Sequence, residues 1–152
     1  MLFRSWKPNV TVAAVINREG RYLLVEEETD DGIRLNQPAG HLDENESLVE
    51  ACARETLEES AWQFVPTALV GIYQWQRPQK DITYLRFVFA GTLGAFDAKR
   101  KLDDGILRSL WMTLEEVRNS QDRHRSPLVL QCIVDHQAGQ RIPLTAINHY
   151  PS

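Results

Sequence analysis

The stretch at residues 47–60 constrains the fold most, because it predicts an amphipathic helix that lies between segments with strand patterns. Ser47 and Glu50 form a capping-box pair, so we expect the helix to begin with Ser47 as its N-cap. Apolar residues at helical spacing make a stripe along one side. The stripe leads into three carboxylates, those of Glu55, Glu58 and Glu59. A helix of this kind among strands predicts packed layers of helix and sheet.

Runs of β-branched and aromatic residues predict strands on both sides of this helix. They lie at residues 10–16, 21–26, 68–75 and 84–90, with a shorter run before Trp111. The first two are separated by the turn sequence at 17–20, so we expect them to pair as a hairpin. Two more helices are predicted, at residues 113–119 after a second capping box and at residues 127–139, where Gly139 stops the helix. The fold class is therefore α/β or α+β.

The size and charge of the chain limit its organisation and its partners. Its 152 residues, of which 43% are hydrophobic, predict a single domain over residues 1–152. It has 21 acidic and 17 basic residues and a net charge of −4, which does not favour binding to a nucleic acid polymer. The opening residues lack the apolar run of a signal peptide, and no segment has the roughly 20 apolar residues that span a bilayer. We therefore expect a soluble cytoplasmic protein that does not bind membranes.

The chain has two cysteines, Cys52 and Cys132. Neither has a His or a second Cys at the spacing of a metal site. We expect two reduced, buried thiols in preference to a disulfide or a zinc site.

The three glutamates of the first helix allow two interpretations. Like charges at this spacing repel each other, and partial burial increases the repulsion, so a positive group should lie among them. Mg²⁺, or the similar Mn²⁺, suits a cluster of oxygen ligands without His or Cys. Alternatively, these glutamates belong to a solvated helix face. The loop in front of the helix favours the metal, because the Pro-x-Gly turn at residues 38–40 exposes backbone groups that can approach a metal or a phosphate closely.

The loop and the helix together resemble the signature of the Nudix hydrolase family. Gly40 is followed after five residues by Glu46 and, after seven more, by Arg54-Glu55-x-x-Glu58-Glu59. This charged spacing is specific. Four other segments are similar to the NudJ-type phosphatases of that family and extend the resemblance over nearly the whole chain: residues 36–42, 84–87, 125–129 and 139–144.

The resemblance implies both a fold and a site. The fold would be an α/β/α sandwich with a mixed sheet, in which the signature forms a catalytic loop, helix and loop. Four groups would be associated with the metal: the carboxylates of Glu55, Glu58 and Glu59 and the carbonyl of Ala39. Arg54 would contribute to catalysis by pairing with Glu46, which orients the carboxylates.

Three positions depart from the family signature: Thr56, Ala61 and Trp62. Family members usually have a hydrophobic residue, a glycine and an aliphatic residue there. A glycine would supply a left-handed C-cap, so Ala61 should strain or reshape the helix end by about 1 kcal/mol. Many members also carry an acid shortly before the strand that ends in Trp111. In this chain Asp103 or Asp104 would have to serve.

The chemistry implied is cleavage of a phosphoanhydride bond. Mg²⁺ held by Glu55 and Glu59 would bridge the diphosphate, and Glu58 or Glu55 would orient or deprotonate the attacking water. The sequence leaves open which glutamate is the base and how many metal ions bind. It also leaves open whether phosphate or pyrophosphate is released.

Three residues are candidates for contact with the substrate: Arg86, His41 and Gln37. Arg86 either reaches a phosphate or extends from an edge strand to solvent. His41 either contacts the substrate or is simply exposed. Tyr73 and Trp75 either stack on a base or pyrimidine ring or belong to the core. The acidic run at residues 26–28 is either a solvated strand end or part of a second metal site.

The first hypothesis for function is therefore a Mg²⁺-dependent Nudix hydrolase. Its substrate would be a nucleoside tri- or diphosphate or a related small pyrophosphate, such as a pyrimidine pyrophosphate. A nucleotide-sugar or dinucleotide pyrophosphatase is the alternative within the enzyme class. A non-catalytic nucleotide-binding Nudix module and a purely structural α+β protein are the alternatives outside it. We expect a monomer or a homodimer.

Overall fold

The computed structural model describes residues 5–79 and 82–152. Residues 1–4, part of the opening segment without a signal-peptide pattern, lie outside the described residues. The strands are β1 (Asn9–Ala14), β2 (Asn17–Arg18), β3 (Arg21–Thr29), β4 (Gly32–Asn36), β5 (Ala39–His41), β6 (Trp62–Arg77), β7 (Ile82–Phe96), β8 (Ile106–Thr113) and β9 (Ile142–Pro143). The helices are α1 (Leu48–Ser60), α2 (Leu114–Asn119) and α3 (Leu128–Gln137), with short 3-10 helices at Gln121–Arg123 and Leu144–Ala146.

The strands form two sheets. The larger is mixed, with the order β5-β1-β7-β6-β9, in which β1 and β7 are parallel and the other pairs are antiparallel. In the smaller sheet β3 lies between β8 on one side and β2 and β4 on the other. The register of the larger sheet places β5, which begins the active-site loop, at the edge next to β1.

The hairpin predicted between residues 10–16 and 21–26 is wrong, although both segments contain strands. β1 and β3 belong to different sheets, and only the two residues of β2 pair with β3 across the turn. Glu19 and Gly20 both have positive φ, of 53° and 81°, as a tight hairpin turn requires. The turn sequence was therefore identified correctly, but the chain moves between sheets just before it.

The helices cover both faces of the larger sheet. α1 packs through Ala51 and Cys52 against one face, and α3 packs through Val129, Cys132 and Ile133 against the other. This arrangement confirms the predicted α/β/α sandwich with a mixed sheet. Both cysteines are free and buried, as predicted. Among the described residues, no helix is both long and apolar enough to cross a membrane.

Local sequence signals determine where α1 begins and ends. The Ser47 Oγ accepts a hydrogen bond from the Glu50 N–H at 3.0 Å, and the Glu50 carboxylate accepts one from the Ser47 N–H at 3.4 Å. Thr113 and Glu116 make the same exchange at α2, so both predicted capping boxes are confirmed. Ala61 has the left-handed φ of 65° that the family signature assigns to glycine, and its N–H donates to the Leu57 carbonyl.

Candidate active site

The site begins where α1 meets β5, and the contact there requires a glycine. A Cβ atom built on Gly40 would lie 2.1 Å from Cδ of Glu55 and 2.3 and 2.4 Å from its two carboxylate oxygens. Any other residue at position 40 would therefore displace this carboxylate. The glycine of the loop and the first glutamate of the helix form one structural unit.

Arg54 organises the acidic residues around it. Its Nε and Nη2 donate to the two oxygens of Glu46 at 2.6 and 2.9 Å, a bidentate pair. Its Nη1 donates to Glu55 at 2.8 Å and to Glu58 at 3.2 Å. Nη2 also reaches the carbonyl of His41, which ties the helix to β5. The bond to Arg54 holds the pKa of Glu46 below its usual range, so the pair stays charged.

Three carboxylates converge at the exposed end of this network. Oxygens of Glu55, Glu58 and Asp103 lie within 4.8 Å of one another. Asp103 is held there because its N–H donates to the Glu58 carbonyl at 3.0 Å, at the end of the helix. Of the two acids suggested by the sequence, Asp103 is the one that the structure brings to the glutamates.

Glu59 points to the inner side of the same loop. Its carboxylate accepts a hydrogen bond from the Ala39 N–H at 3.0 Å. The Ala14 N–H donates to the Pro38 carbonyl, and Ala13 faces Ala39 in the ladder. Successive residues of an antiparallel strand point their N–H and C=O groups to alternate sides, so those of Ala39 point away from β1. Because β5 is the outer strand, the Ala39 carbonyl is directed to the open edge of the sheet.

Hydrogen bonds and positive neighbours only partly offset the cost of burying the carboxylates of Glu55 and Glu59. Burial raises the pKa of Glu59 to about 8, and the neighbouring carboxylates of Glu27, Glu55 and Asp103 add to the shift. Burial also raises the pKa of Glu55, although the guanidinium of Arg54 opposes it. A cluster of hard oxygen donors with excess negative charge fits a divalent cation.

A cavity of about 230 Å³ opens beside Glu59 on the face of the sheet that α3 covers. Arg86, Thr11 and His41 stand in register across β7, β1 and β5, and all three line this cavity. In-register residues on neighbouring strands lie about 4.8 Å apart, so the row spans the cavity floor. The row ends next to the loop residues that contact Glu55 and Glu59 of α1.

Residues 6–131 match the family model of the NUDIX domain. The chain belongs to the Nudix family. Phosphatase NudJ of Escherichia coli (strain K12) is 41% identical over 145 residues, covering 95% of this chain and 94% of that protein. Among solved structures, a NUDIX hydrolase from Nitrosomonas europaea is 52% identical with a TM-score of 0.92, covering 95% of this chain and 98% of that one. This chain is therefore a hydrolase of the Nudix type.

A more distant solved structure has the same fold as this Nudix hydrolase. The MutT protein from Methanosarcina mazei Go1 is 23% identical, with a TM-score of 0.71 over 90% of this chain and 99% of that one. The agreement at this identity shows that the overall fold does not depend on most side chains.

Arg86 is the most unusual residue in the cavity of this Nudix domain. It is only 7% exposed, and its Nη2 donates to the side-chain oxygens of Gln37 at 2.7 Å and Asn36 at 3.1 Å. Its buried Nε has no hydrogen-bond partner among the described residues. The interpretation as an edge-strand arginine is wrong, because β7 is paired on both sides, by β1 and β6.

Gln37 does not line the cavity, although it was a candidate for substrate contact. Its side chain is fully buried, with its Nε2 donating to the Val129 carbonyl of α3 at 2.7 Å and its Oε1 accepting from Arg86. Both ends of the amide are thus engaged by protein groups. Gln37 contacts Arg86 and holds it in place, one step away from the cavity.

The two aromatic candidates have different positions. Trp75 lines the cavity and stacks on its cross-strand partner Tyr84, with ring centroids 5.9 Å apart and planes at 19°. Tyr73 packs against the core, and its hydroxyl donates to Asp135 at 2.6 Å. Of the two candidates, only Trp75 is therefore placed to stack on a ligand ring.

The acidic run at residues 26–28 is not simply a solvated strand end. Glu26 is buried and pairs with Arg108 and Arg123 at the smaller sheet, which lowers its pKa. Glu27 lines the cavity and pairs with Arg125 at 2.8 Å, whereas Glu28 is exposed. Sequence reasoning missed several lining residues that only the fold brings together: Asn36, Arg77, Arg125 and Ser126.

Proposed function

We propose that this Nudix hydrolase cleaves a phosphoanhydride bond in nucleoside tri- or diphosphates or a related small pyrophosphate, and that it requires Mg²⁺ or Mn²⁺. The observation that carries the proposal is the convergence of the carboxylates of Glu55, Glu58 and Asp103 beside a cavity with a buried arginine. The acidic end suits a metal, and the basic wall suits phosphate. A molecule that joins the two is a metal-chelated diphosphate.

The metal would be held by oxygen donors at the end of α1: Glu55, Glu58, Glu59, Asp103 and the Ala39 carbonyl. When bound, the cation neutralises phosphate oxygens and supports in-line attack by water. Arg54 keeps Glu55 and Glu58 at their positions through its bonds to both. This positioning role is the one that groups behind metal ligands usually play.

The other roles fall to residues on either side of the reacting bond. Glu58 or Glu55 would take the proton of the attacking water, because both belong to the carboxylate cluster beside the cavity. Arg86 would donate hydrogen bonds to a phosphate group, since its bonds to amide oxygens leave its charge available. His41, in the same row, would contact the neighbouring phosphate.

The organic part of the substrate would stack on Trp75, whose ring is already fixed against Tyr84. A purine, a pyrimidine or another flat ring fits this wall. Similarity to the E. coli Phosphatase NudJ supports release of phosphate from the substrate. A pyrimidine pyrophosphate and the nucleoside diphosphates are therefore the first substrates to test.

The test is a Mg²⁺-dependent release assay that separates phosphate from pyrophosphate. Substrates are nucleoside tri- and diphosphates, a pyrimidine pyrophosphate, an ADP-sugar and a dinucleotide. Glu55→Gln, Glu58→Gln and Glu59→Gln should each lower kcat by roughly 10²-fold or more, while Glu115→Gln, an exposed glutamate on α2, should not. Full activity in all three variants would overturn the proposal.

A second measurement does not depend on turnover. Mg²⁺ should raise the melting temperature of the protein, because a bound cation relieves the repulsion among the carboxylates and stabilises the folded state. Glu55→Gln should lose most of this shift.

If no substrate is cleaved but Mg²⁺ and a nucleotide still bind, the protein is a non-catalytic Nudix module. Preferential cleavage of the ADP-sugar or the dinucleotide would identify it as a pyrophosphatase of that class.

We also propose that residues 1–152 act as one Nudix domain in the cytoplasm, as a monomer or a homodimer. Its partners would be small phosphorylated molecules and not nucleic acid polymers, in keeping with the net charge of −4. Sedimentation equilibrium would determine the assembly. A measurable affinity for duplex DNA or RNA at physiological salt would contradict the choice of partner.

A further inference from the structure

A second cavity adjoins the proposed substrate cavity. It has a volume of about 600 Å³ and lies between the end of β6, the strand β4 and the start of α3. Four residues line both cavities: Trp75, Arg77, Arg125 and Ser126. A ligand that passes over Trp75 can therefore occupy both, and the proposed reaction needs only the first.

The second cavity is basic although the chain is acidic overall. Among the described residues that line it are three arginines, Arg34, Arg77 and Arg125, and one carboxylate, Asp31. Arg77 pairs with that carboxylate at 3.1 Å, and Arg125 pairs with Glu27 of the first cavity. Two of the three guanidinium groups are thus partly neutralised.

Arg34 differs from the other two in its partners. Its Nη1 donates to the Asp122 carbonyl at 2.6 Å and its Nη2 to the Asp31 carbonyl at 2.8 Å. Main-chain carbonyls hold the group in place but do not cancel its charge. A guanidinium has five N–H donors, so three remain beyond these two bonds. The side chain is half-buried, which fixes its position at the cavity wall.

Two residues of β4 on the same face line the two cavities. Arg34 and Asn36 are two residues apart on one strand, so they share a face and lie about 7 Å apart. Asn36 lines the first cavity and contacts Arg86, whereas Arg34 lines the second. Glu27, which faces Arg34 across the ladder, lines the first cavity near Glu59. The two cavities are therefore contiguous along one face of β4.

We propose that the second cavity binds a phosphate group on the organic part of the substrate, remote from the anhydride that is cleaved. Arg34 is the principal donor, and Arg77 and Arg125 line the path to it. The preferred substrate class is then a diphosphate ester whose sugar carries another phosphate. This inference rests on the proposed function, because the first cavity must hold the diphosphate.

Binding can be tested with two nucleotides that have no anhydride to cleave, AMP and adenosine 3′,5′-bisphosphate. Calorimetric titration in the presence of Mg²⁺ should give about tenfold tighter binding of the bisphosphate, the effect of one charge-assisted hydrogen bond. In Arg34→Gln the ratio of the two dissociation constants should fall close to one. Arg34→Lys, which keeps the charge, should retain part of the preference.

Arg141→Gln is the matched control, because Arg141 also donates to two main-chain carbonyls and lines neither cavity. It should keep the tenfold ratio. Melting temperatures of all variants show whether each is folded. Equal affinities for the two nucleotides in the unchanged protein, or a tenfold ratio that survives in folded Arg34→Gln, would overturn the proposal.

A kinetic comparison separates this inference from the proposed function. ADP with an additional phosphate on its 3′-hydroxyl should have a KM about tenfold below that of ADP. If neither is cleaved but the binding ratio depends on Arg34, the second cavity is supported and the hydrolase assignment for these substrates fails. If both are cleaved with equal KM, the hydrolase assignment holds and the second cavity is not a phosphate site.

Discussion

Two arginines lie in the proposed active site, and they differ in what neutralises them. Arg54 donates to three carboxylates, those of Glu46, Glu55 and Glu58, and the carboxylate of Asp43 lies 3.2 Å from its Nη2. Arg86 donates to two side-chain amide oxygens, those of Asn36 and Gln37. A carboxylate cancels the charge of its partner, whereas an amide only orients it. The first arginine therefore organises the acidic end, and the second keeps its positive charge.

The difference follows from the elements on which the two residues lie. Arg54 is on the same helix as Glu55 and Glu58, one and four residues away, and Glu46 lies in the loop just before that helix, so partners close in the chain are enough to neutralise it. Arg86 is in the middle of a sheet, where neighbours come from distant parts of the chain. A buried arginine without a carboxylate is costly to maintain, which is why we assign it to the substrate.

The largest effect should come from Gly40→Ala, which disrupts the acidic end alone. The new Cβ would collide with Glu55, and a displacement of about 1 Å in a catalytic group lowers kcat by about 10²-fold. Gly94→Ala is the control, since the atoms nearest to its Cβ would belong to Gln63, with the Cβ at 3.1 Å and the main-chain oxygen at 3.4 Å, and not to a carboxylate of the site. Steady-state kinetics on the best substrate measures both. Near-normal kcat in Gly40→Ala would show that Glu55 tolerates movement.

Arg54→Lys tests whether Arg54 acts only through the carboxylates. A lysine keeps the charge but loses the bidentate fork to Glu46, so kcat should fall by about 10- to 100-fold. KM should change little, because Arg54 does not line the cavity. Kinetics at saturating Mg²⁺ gives the two constants separately. A rise in KM with unchanged kcat would mean that Arg54 binds substrate after all.

Arg86→Gln should have the opposite signature. The loss of a charged donor to phosphate should raise KM by about tenfold and leave kcat within a few-fold of its original value. Arg141→Gln, outside the cavity, provides the control for loss of an arginine charge. If kcat falls and KM is unchanged, Arg86 contributes to the transition state and the division between the two arginines fails.

Asn36→Asp should have the smallest effect and tests the comparison most directly. It would give Arg86 the carboxylate partner that Arg54 already has, at the 3.1 Å contact now made by the amide oxygen. The added negative charge should raise KM by about threefold without changing kcat. Measurement of KM at increasing salt concentrations reports on the same loss of positive charge at Arg86. An unchanged KM would show that neutralisation of Arg86 does not matter for binding.

The sequence was most informative where the determinants are local. The capping boxes at Ser47 and Thr113 and the left-handed position of Ala61 depend on neighbours within a few residues, and all three are present in the structure. The contact of Arg54 with Glu46 was implied by family resemblance and also spans only one loop and two helical turns. Short-range geometry of this kind repeats between proteins and can be inferred from spacing.

Features that depend on distant pairings could not be inferred. Parallel pairing of β1 with β7 brings Thr11 beside Arg86, and no periodicity in either strand indicates this partner. The same pairing overturned the expected hairpin and the edge-strand interpretation of Arg86. The sequence could not show that Gln37 is buried, because its burial results from contact with α3, which lies far along the chain. For the acidic residue before β8, the sequence offered Asp103 and Asp104 and could not decide between them.

Trp75 gives this enzyme its own optical reporter. Its indole lines both cavities and is stacked on Tyr84, so a ligand there changes its environment directly. Of the other three tryptophans, Trp62 and Trp111 pack against each other away from the cavities, and Trp6 is 69% exposed. Their emission is a nearly constant background. The occupancy of the site can therefore be followed through intrinsic fluorescence, in real time and without a label.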